Sequence, residues 1–154
     1  MGDDADPLPP VTDLARAVNE ITALIHEYAF RLDAGDLDGV AALFEHGALG
    51  STRHDGRLRG SAEARTNYNN VILYADGTPR TQHQITNVTV KVDGTTATAR
   101  SSFTVLQVIK KGFQPIVAGN YLDRFEQADG VWRFSERIFD PRILGDLSRH
   151  MRRT

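Results

Sequence analysis

A chain of 154 residues with 40% hydrophobic and 25% charged residues is long enough for one globular domain with its own core, and no linker-like stretch divides it. A formal net charge of −2 gives no broad positive field for nucleic acid, and without cysteine there is no disulfide, thiolate nucleophile or cysteine-ligated zinc. No apolar run approaches a membrane span, and the acidic, proline-rich residues 1–10 lack the basic start and apolar stretch of a secretory signal, so a cytoplasmic location is expected.

Residues 1–11 hold little apolar surface and are expected to stay disordered, ahead of one domain over residues 12–142 and a basic segment over 143–154. From Thr12 or Asp13 a helical pattern begins, with Ile21, Leu24, Ile25, Tyr28 and Leu32 on one stripe at three- and four-residue spacing. Ala34-Gly35 stops it. Asp36 then caps a shorter helix whose apolar face is Leu37, Val40, Ala41 and Phe44, and Gly47 ends that one. Extended pieces at 49–54 and 57–59 flank Asp55-Gly56, which predicts a small hairpin. Residues 61–73 read as a third helix, opened by Ser61 and weakened at its end by Asn69 and Asn70.

From 81 to 139 the chain is rich in Val, Thr, Ile and Phe, broken at Asp93-Gly94, at 112–115 and at Asp129-Gly130. Those breaks predict four consecutive antiparallel strands. Helices first and strands after imply an α+β domain with helices against one face of a sheet. The segment 143–154, with Arg149, His150, Arg152 and Arg153, reads either as a solvated basic tail or as a short helix closing over a pocket or a neighbouring subunit.

The residues with most chemical content are Asp33, at the end of the first helix, and His83, at the start of a strand. A carboxylate that accepts a hydrogen bond from an imidazole fixes its tautomer and holds it ready to take a proton at neutral pH. Taken singly, a histidine opening a strand is more often a plain hydrogen-bonded or exposed residue, and an aspartate in Asp-Ala-Gly-Asp a turn or cap residue. Tyr28 is likewise more often core with its hydroxyl at the edge, and Arg137 more often a surface ion-pair partner. Tyr121 and Asp123 share strand parity with Phe125. On that face both can point inward, where Tyr121 is a candidate to donate to a substrate oxygen, while Asp123 reads equally as half of a structural ion pair with neighbours of Arg124.

Two geometric conditions follow. Five helical positions turn through about 140°, so Tyr28 and Asp33 share no ideal helix face, which predicts a frayed last turn at Asp33. Arg137 has the opposite strand parity from Trp132 and Phe134, and reaches their side only through a bulge or strong curvature. His26, His46, His54 and His150 lie on different elements without metal-site spacing and read as solvated. With no Gly-x-Gly-x-x-Gly, Walker-type or Gly-x-Ser-x-Gly motif, no cofactor and no serine nucleophile are expected.

Three stretches, taken together, resemble a known family: Tyr28-Ala29-Phe30-Arg31-Leu32-Asp33-Ala34-Gly35-Asp36-Leu37-Asp38 with Leu43-Phe44, then Thr81-Gln82-His83, then Gly119-Asn120-Tyr121-Leu122-Asp123-Arg124-Phe125 through Trp132-Arg133-Phe134 to Arg137. From about residue 14 to residue 142 the chain resembles the SnoaL-like branch of the NTF2-like superfamily, and within it scytalone dehydratase, lindane dehydrochlorinase and bile-acid 7α-dehydratase. The resemblance implies an NTF2-like cone, a strongly curved, mainly antiparallel sheet wrapped around about three N-terminal helices, with a pocket at the open end. It further implies that Asp33 and His83 are a catalytic dyad and that Tyr28 and Arg137 belong to the pocket. The strand over 98–109 carries no second histidine. The implied function is a cofactor-independent lyase of dehydratase type, or an isomerase, acting on an apolar cyclic, polyketide-like or steroid-like small molecule. A non-catalytic binding or assembly module and a polyketide cyclase using Asp33 or Asp123 are the alternatives. A homo-oligomer, trimer or dimer, is expected, because a half-open curved sheet leaves edges and an apolar face to cover.

Overall fold

The computed structural model describes residues 12–152; the N-terminal segment 1–11 lies outside them. Helix α1 (Asp13–Ala34) starts where the Thr12 hydroxyl accepts the Ala15 N–H, and it ends at Gly35 with φ 76°. A side chain at Gly35 would strike the Gly77 carbonyl, so glycine serves both the left-handed cap and a close backbone approach. The buried stripe is Ala17, Ile21, Ile25, Tyr28, Ala29 and Leu32. Helix α2 (Leu37–Ala42) opens with the Asp36 carboxylate accepting the Gly39 N–H at 2.9 Å, and turns rather than helix fill the rest of the way to Gly47.

Strands β1 (Ala48–Ser51) and β2 (His54–Arg59) form the hairpin, but its turn is Thr52-Arg53, with Ser51 paired to His54. The Asp55-Gly56 pair read as the turn lies inside β2. The reason is tertiary: the Thr52 N–H donates to the Phe139 carbonyl, its hydroxyl to Asp140 and the Arg53 guanidinium to the Pro141 carbonyl. Helix α3 (Gly60–Thr66) is shorter than the expected 61–73, and turns follow it. Then come β3 (Thr81–Asp93), β4 (Thr96–Ile109), β5 (Gly112–Ala128) and β6 (Val131–Leu144). The breaks at Asp93-Gly94 and Asp129-Gly130 fall where the sequence has them, but the middle turn is Lys110-Lys111. The expected break at 112–115 lies inside β5, because those residues pair with the end of β4, and β6 runs past 139.

The sheet order is β2-β1-β6-β5-β4-β3, with every pair antiparallel except the parallel pair β1–β6. Register shifts interrupt β3–β4 between Thr86 and Thr89, β4–β5 at Val105/Leu106, and β5–β6 at both Ala118/Gly119 and Arg124/Phe125. Each extra residue bends and twists its strand, so long strands that would otherwise lie flat curl around the helices. The result is the expected cone, an open, curved sheet against which α1 and α3 pack, with α2 held against those two helices. No helix among the described residues is long and apolar enough to cross a membrane.

The shift at Arg124/Phe125 leaves Ser135 unmatched, since Arg124 pairs with Glu136 and Phe125 with Phe134. One extra residue reverses strand parity. Arg137 therefore turns to the same inner face as Trp132 and Phe134, by the bulge its parity required, and is 0% exposed. A buried charge has to be paired, and Asp123, on the neighbouring strand and directly opposite Arg137, meets it with two bonds: Nε to Oδ1 at 2.8 Å and Nη2 to Oδ2 at 2.7 Å. Burial opposes the charge on Arg137, but the Asp123 carboxylate outweighs it and holds the guanidinium protonated.

Removing one member leaves the other uncompensated. Asp123→Leu is expected to lower unfolding free energy by about 3–5 kcal/mol in urea titrations, whereas Asp123→Leu combined with Arg137→Met recovers most of the loss. Equal destabilisation by the single and the double variant would contradict this account of the pair.

Candidate active site

Asp33 sits on the last turn of α1, which stays helical through Ala34 and does not fray. Tyr28 and Asp33 do use different faces: Tyr28 points into the cone, and Asp33 lies against the start of β3. There its Oδ1 accepts the Thr81 hydroxyl at 2.8 Å and faces His83 Nδ1 at 2.6 Å, while Oδ2 accepts the His83 backbone N–H at 2.7 Å. Both side chains are largely shielded, His83 at 8% and Asp33 at 16% exposed. A carboxylate at Nδ1 requires the proton there, so Nε2 of the neutral ring carries a free lone pair.

His83 forms part of the wall of a cavity of about 340 Å³ at the open end of the cone. Most of the wall is apolar, including Leu32, Val71, Val105, Val117 and Phe139. Thr81, Tyr28, Tyr68 and Tyr121 supply hydroxyls. The Tyr68 hydroxyl donates to that of Tyr28 at 3.2 Å. Burial pushes all three tyrosine pKa values up, those of Tyr68 and Tyr121 well above the ordinary value, with the Arg137 charge opposing the rise. All three therefore remain hydrogen-bond donors at neutral pH.

Arg137 lies under the cavity and is not in its wall. Its guanidinium carbon sits 4.3 Å from the Tyr28 ring centre, 4.0 Å from that of Tyr121 and 4.8 Å from that of Phe134. The expected pocket residue thus backs two pocket residues, and any effect on a cavity occupant passes through their rings. Asp123 is half of a structural ion pair, but its partner is Arg137 directly across the sheet and not a neighbour of Arg124. The pair is buried where a surface position was expected for Arg137, because the bulge at Ser135 turns Arg137 inward.

Tyr68 and His150 are among the wall residues that the sequence does not mark. Tyr68, in the turn after α3, had no periodic pattern to mark it; only its aromatic ring within Asn67-Tyr68-Asn69-Asn70 sets it apart. His150 was read as solvated, yet it also lines the cavity. The segment that holds it is neither a free tail nor a helix over the described residues. It is a strap: Gln107 Nε2 and the Tyr74 hydroxyl donate to the Arg149 carbonyl, the Ile72 N–H donates to the His150 carbonyl, and Met151 bridges to Val71. Burial, helped by His83 and opposed by Asp33, lowers the His150 pKa to about 4. His54 lines the mouth while remaining exposed, His46 is exposed, and His26 is partly buried. Among the described residues, no group of three His, Asp or Glu side chains comes together to hold a metal ion.

A family model described as a SnoaL-like domain matches residues 13–138. Among solved structures, the chain is similar to Rv3472, a protein of unknown function from Mycobacterium tuberculosis, with a TM-score of 0.71 and 29% identity over 88% of this chain and 78% of the other. It is similar in fold to a candidate scytalone dehydratase from Novosphingobium aromaticivorans, at TM-score 0.67 and 21% identity over 85% and 87% of the two chains. The beta subunit of a candidate aromatic-ring-hydroxylating dioxygenase from the same organism gives TM-score 0.68 and 20% identity over 86% and 94%. The sequence has no match among curated proteins.

The depressed pKa of His150 makes a stability prediction. Between its ordinary value near 6.5 and about 4, the unfolded chain binds a proton at His150 that the folded chain does not. The contribution is therefore intact above about pH 6.5 and lost as pH falls toward 4, at up to about 1.4 kcal/mol per pH unit. Denaturant titrations at about pH 7 and pH 5 should show His150→Gln losing less stability on acidification than the wild type. An identical loss would mean that His150 is protonated in the folded state.

Proposed function

The chain belongs to the SnoaL-like domain family, and from that premise we propose that it is a cofactor-independent lyase of dehydratase type, or an isomerase, working on an apolar cyclic, polyketide-like or steroid-like small molecule. The observation that carries this reading is the 2.6 Å contact between His83 Nδ1 and Asp33 in the wall of a largely apolar cavity. The free Nε2 of His83 removes a proton from a carbon made acidic by a neighbouring carbonyl or leaving group, and Asp33 stabilises the imidazolium that forms. That imidazolium then protonates a departing hydroxide, which completes a dehydration, or returns the proton to another carbon, which completes an isomerisation.

Charge that builds on a substrate oxygen needs donors already in place. Tyr28 and Tyr121 are the candidate donors, with Tyr68 giving its proton to Tyr28, and the Arg137 charge beneath both rings, offset in part by Asp123, opposes the rise in their pKa values. In this role Arg137 is a positioning residue, as is Asp33 for His83. A polyketide cyclase working through Asp123 is the weaker reading, because Asp123 is 2% exposed and both of its oxygens are bonded to Arg137. A non-catalytic assembly module, suggested by the fold likeness to the dioxygenase beta subunit, would give the His83–Asp33 contact no task.

We also propose a cytoplasmic homo-oligomer, trimer or dimer. Val108 and Phe113 pair across β4 and β5 on the outer face of the sheet, at 56% and 68% exposed, and Leu122 on the same face is 43% exposed. Apolar side chains at that exposure gain most from a second copy. Light scattering at micromolar concentration should give a mass two or three times that of the 17.0 kDa chain. A single-chain mass would refute it.

For the dyad, deuterium exchange into a panel of cyclic ketones and β-hydroxy ketones is the direct measurement. His83→Ala and Asp33→Asn are each expected to slow exchange by about a hundredfold or more with the fold retained, and the double variant to lose little further, because the two act as a unit. Wild-type rates in His83→Ala would move the assignment to the non-catalytic module.

A further inference from the structure

His150 lines the cavity in a position that the dyad leaves unexplained. Its backbone is fixed on both sides: its N–H donates to the Leu147 carbonyl at 2.9 Å, its carbonyl accepts from Ile72 at 2.8 Å, and the Arg152 N–H donates to Asn70 at 2.8 Å. The ring lines the same cavity as His83. Its Nδ1 is buried with no hydrogen-bond partner among the described residues. A proton on that nitrogen would strand a donor where nothing can accept it. The other tautomer leaves only a lone pair unmet, and places the N–H on Nε2.

We propose that His150 is a second substrate-contacting imidazole of this cavity, giving an Nε2–H hydrogen bond to the oxygen of an enolisable carbonyl compound whose α-proton His83 removes. The inference rests on the proton-transfer reading of the site and adds the substrate class to it. In the step, the C–H proton passes to His83 Nε2 and the C–H electron pair moves to the carbonyl, leaving an enolate oxygen. His150 holds that oxygen and keeps its own proton.

Charge separates the roles of the two rings. His83 has the Asp33 carboxylate on Nδ1, so it can accept a proton and hold the charge. His150 has no such partner, and its surroundings hold it neutral at pH 7. Formation of the His83 imidazolium disfavours a second charge nearby still further. A neutral imidazole offers one N–H and no positive charge, which suits it to hold an oxygen without protonating it. The cavity then presents an acceptor on His83 and a donor on His150, matching the α-hydrogen and the oxygen of a ketone.

The test uses the full chain labelled with ¹⁵N at its imidazoles, with 2-tetralone as the ketone probe and tetralin as the hydrocarbon of the same skeleton. At pH 7 the free protein should show a neutral His150 with its proton on Nε2, and 2-tetralone should shift that resonance while tetralin leaves it. His150→Phe should weaken 2-tetralone binding by about tenfold and tetralin binding by no more than about twofold, and His150→Gln, which keeps an N–H donor, should restore most of the difference. A proton on Nδ1, a charged His150 at pH 7, no measurable binding of 2-tetralone, or equal weakening of both probes by His150→Phe would each overturn the proposal. Exchange unaffected by His83→Ala, with the probe discrimination intact, would instead sink the proton-transfer reading and leave the His150 contact standing.

Discussion

A guanidinium with no solvent exposure is the constraint around which this domain is arranged. Arg137 reaches the interior because the bulge at Ser135 reverses the parity of β6, and once there it demands a counter-charge and flat polarisable surfaces. Asp123, directly opposite on β5, provides the charge, and the faces of Tyr28, Tyr121 and Phe134 provide the surfaces. Two of those rings are also cavity wall. The arrangement that neutralises a buried cation thereby sets the orientation of two pocket hydroxyls.

Asp33 joins fold and site in a similar way. Its carboxylate ties the last turn of α1 to Thr81 and to the His83 backbone, so the helix is fastened to the edge strand β3 by the group that orients the imidazole. It serves three polar contacts, counting the ring, and uses both oxygens to do so, so an asparagine in its place has one acceptor oxygen too few. Loss of proton transfer and loosening of the α1–β3 junction are therefore linked at this residue in a way that they are not at His83, whose ring is held by Asp33 but holds nothing else in the sheet.

Much of this was legible in the sequence, where local signals and tertiary demands agree. Thr12 and Gly35 bound α1, the glycine-bearing breaks at Asp93-Gly94 and Asp129-Gly130 bound the long strands, and the family pattern placed His83 and Asp33 at elements that do meet. What was missed followed from long-range pairing. Asp55-Gly56 is the stronger turn signal, but hydrogen bonds from Thr52 and Arg53 to the end of β6 place the turn earlier. The third helix stops at Thr66 because the backbone of Asn70 and Ile72 is engaged by Arg152 and His150, eighty residues on in a segment with no periodicity of its own. The parity of Arg137 was readable only as a condition, since nothing local to Ser135 marks it as the extra residue.

The same segment explains why composition misjudged His150. A tail with several arginines reads as solvated, and the argument is sound for the arginine side chains, which can stay in water while their backbone is bound. Backbone groups at Arg149, His150 and Arg152 are what attach the strap, and they accept and donate in a pattern that is blind to side-chain type. Once the backbone is fixed, the side chain between the charged neighbours is turned inward whether or not it is apolar. An imidazole tolerates that position by giving up its charge, at a cost in affinity for protons that an arginine cannot meet. Of the ionisable side chains on the strap, histidine alone can be buried neutral there while keeping one polar N–H for the cavity.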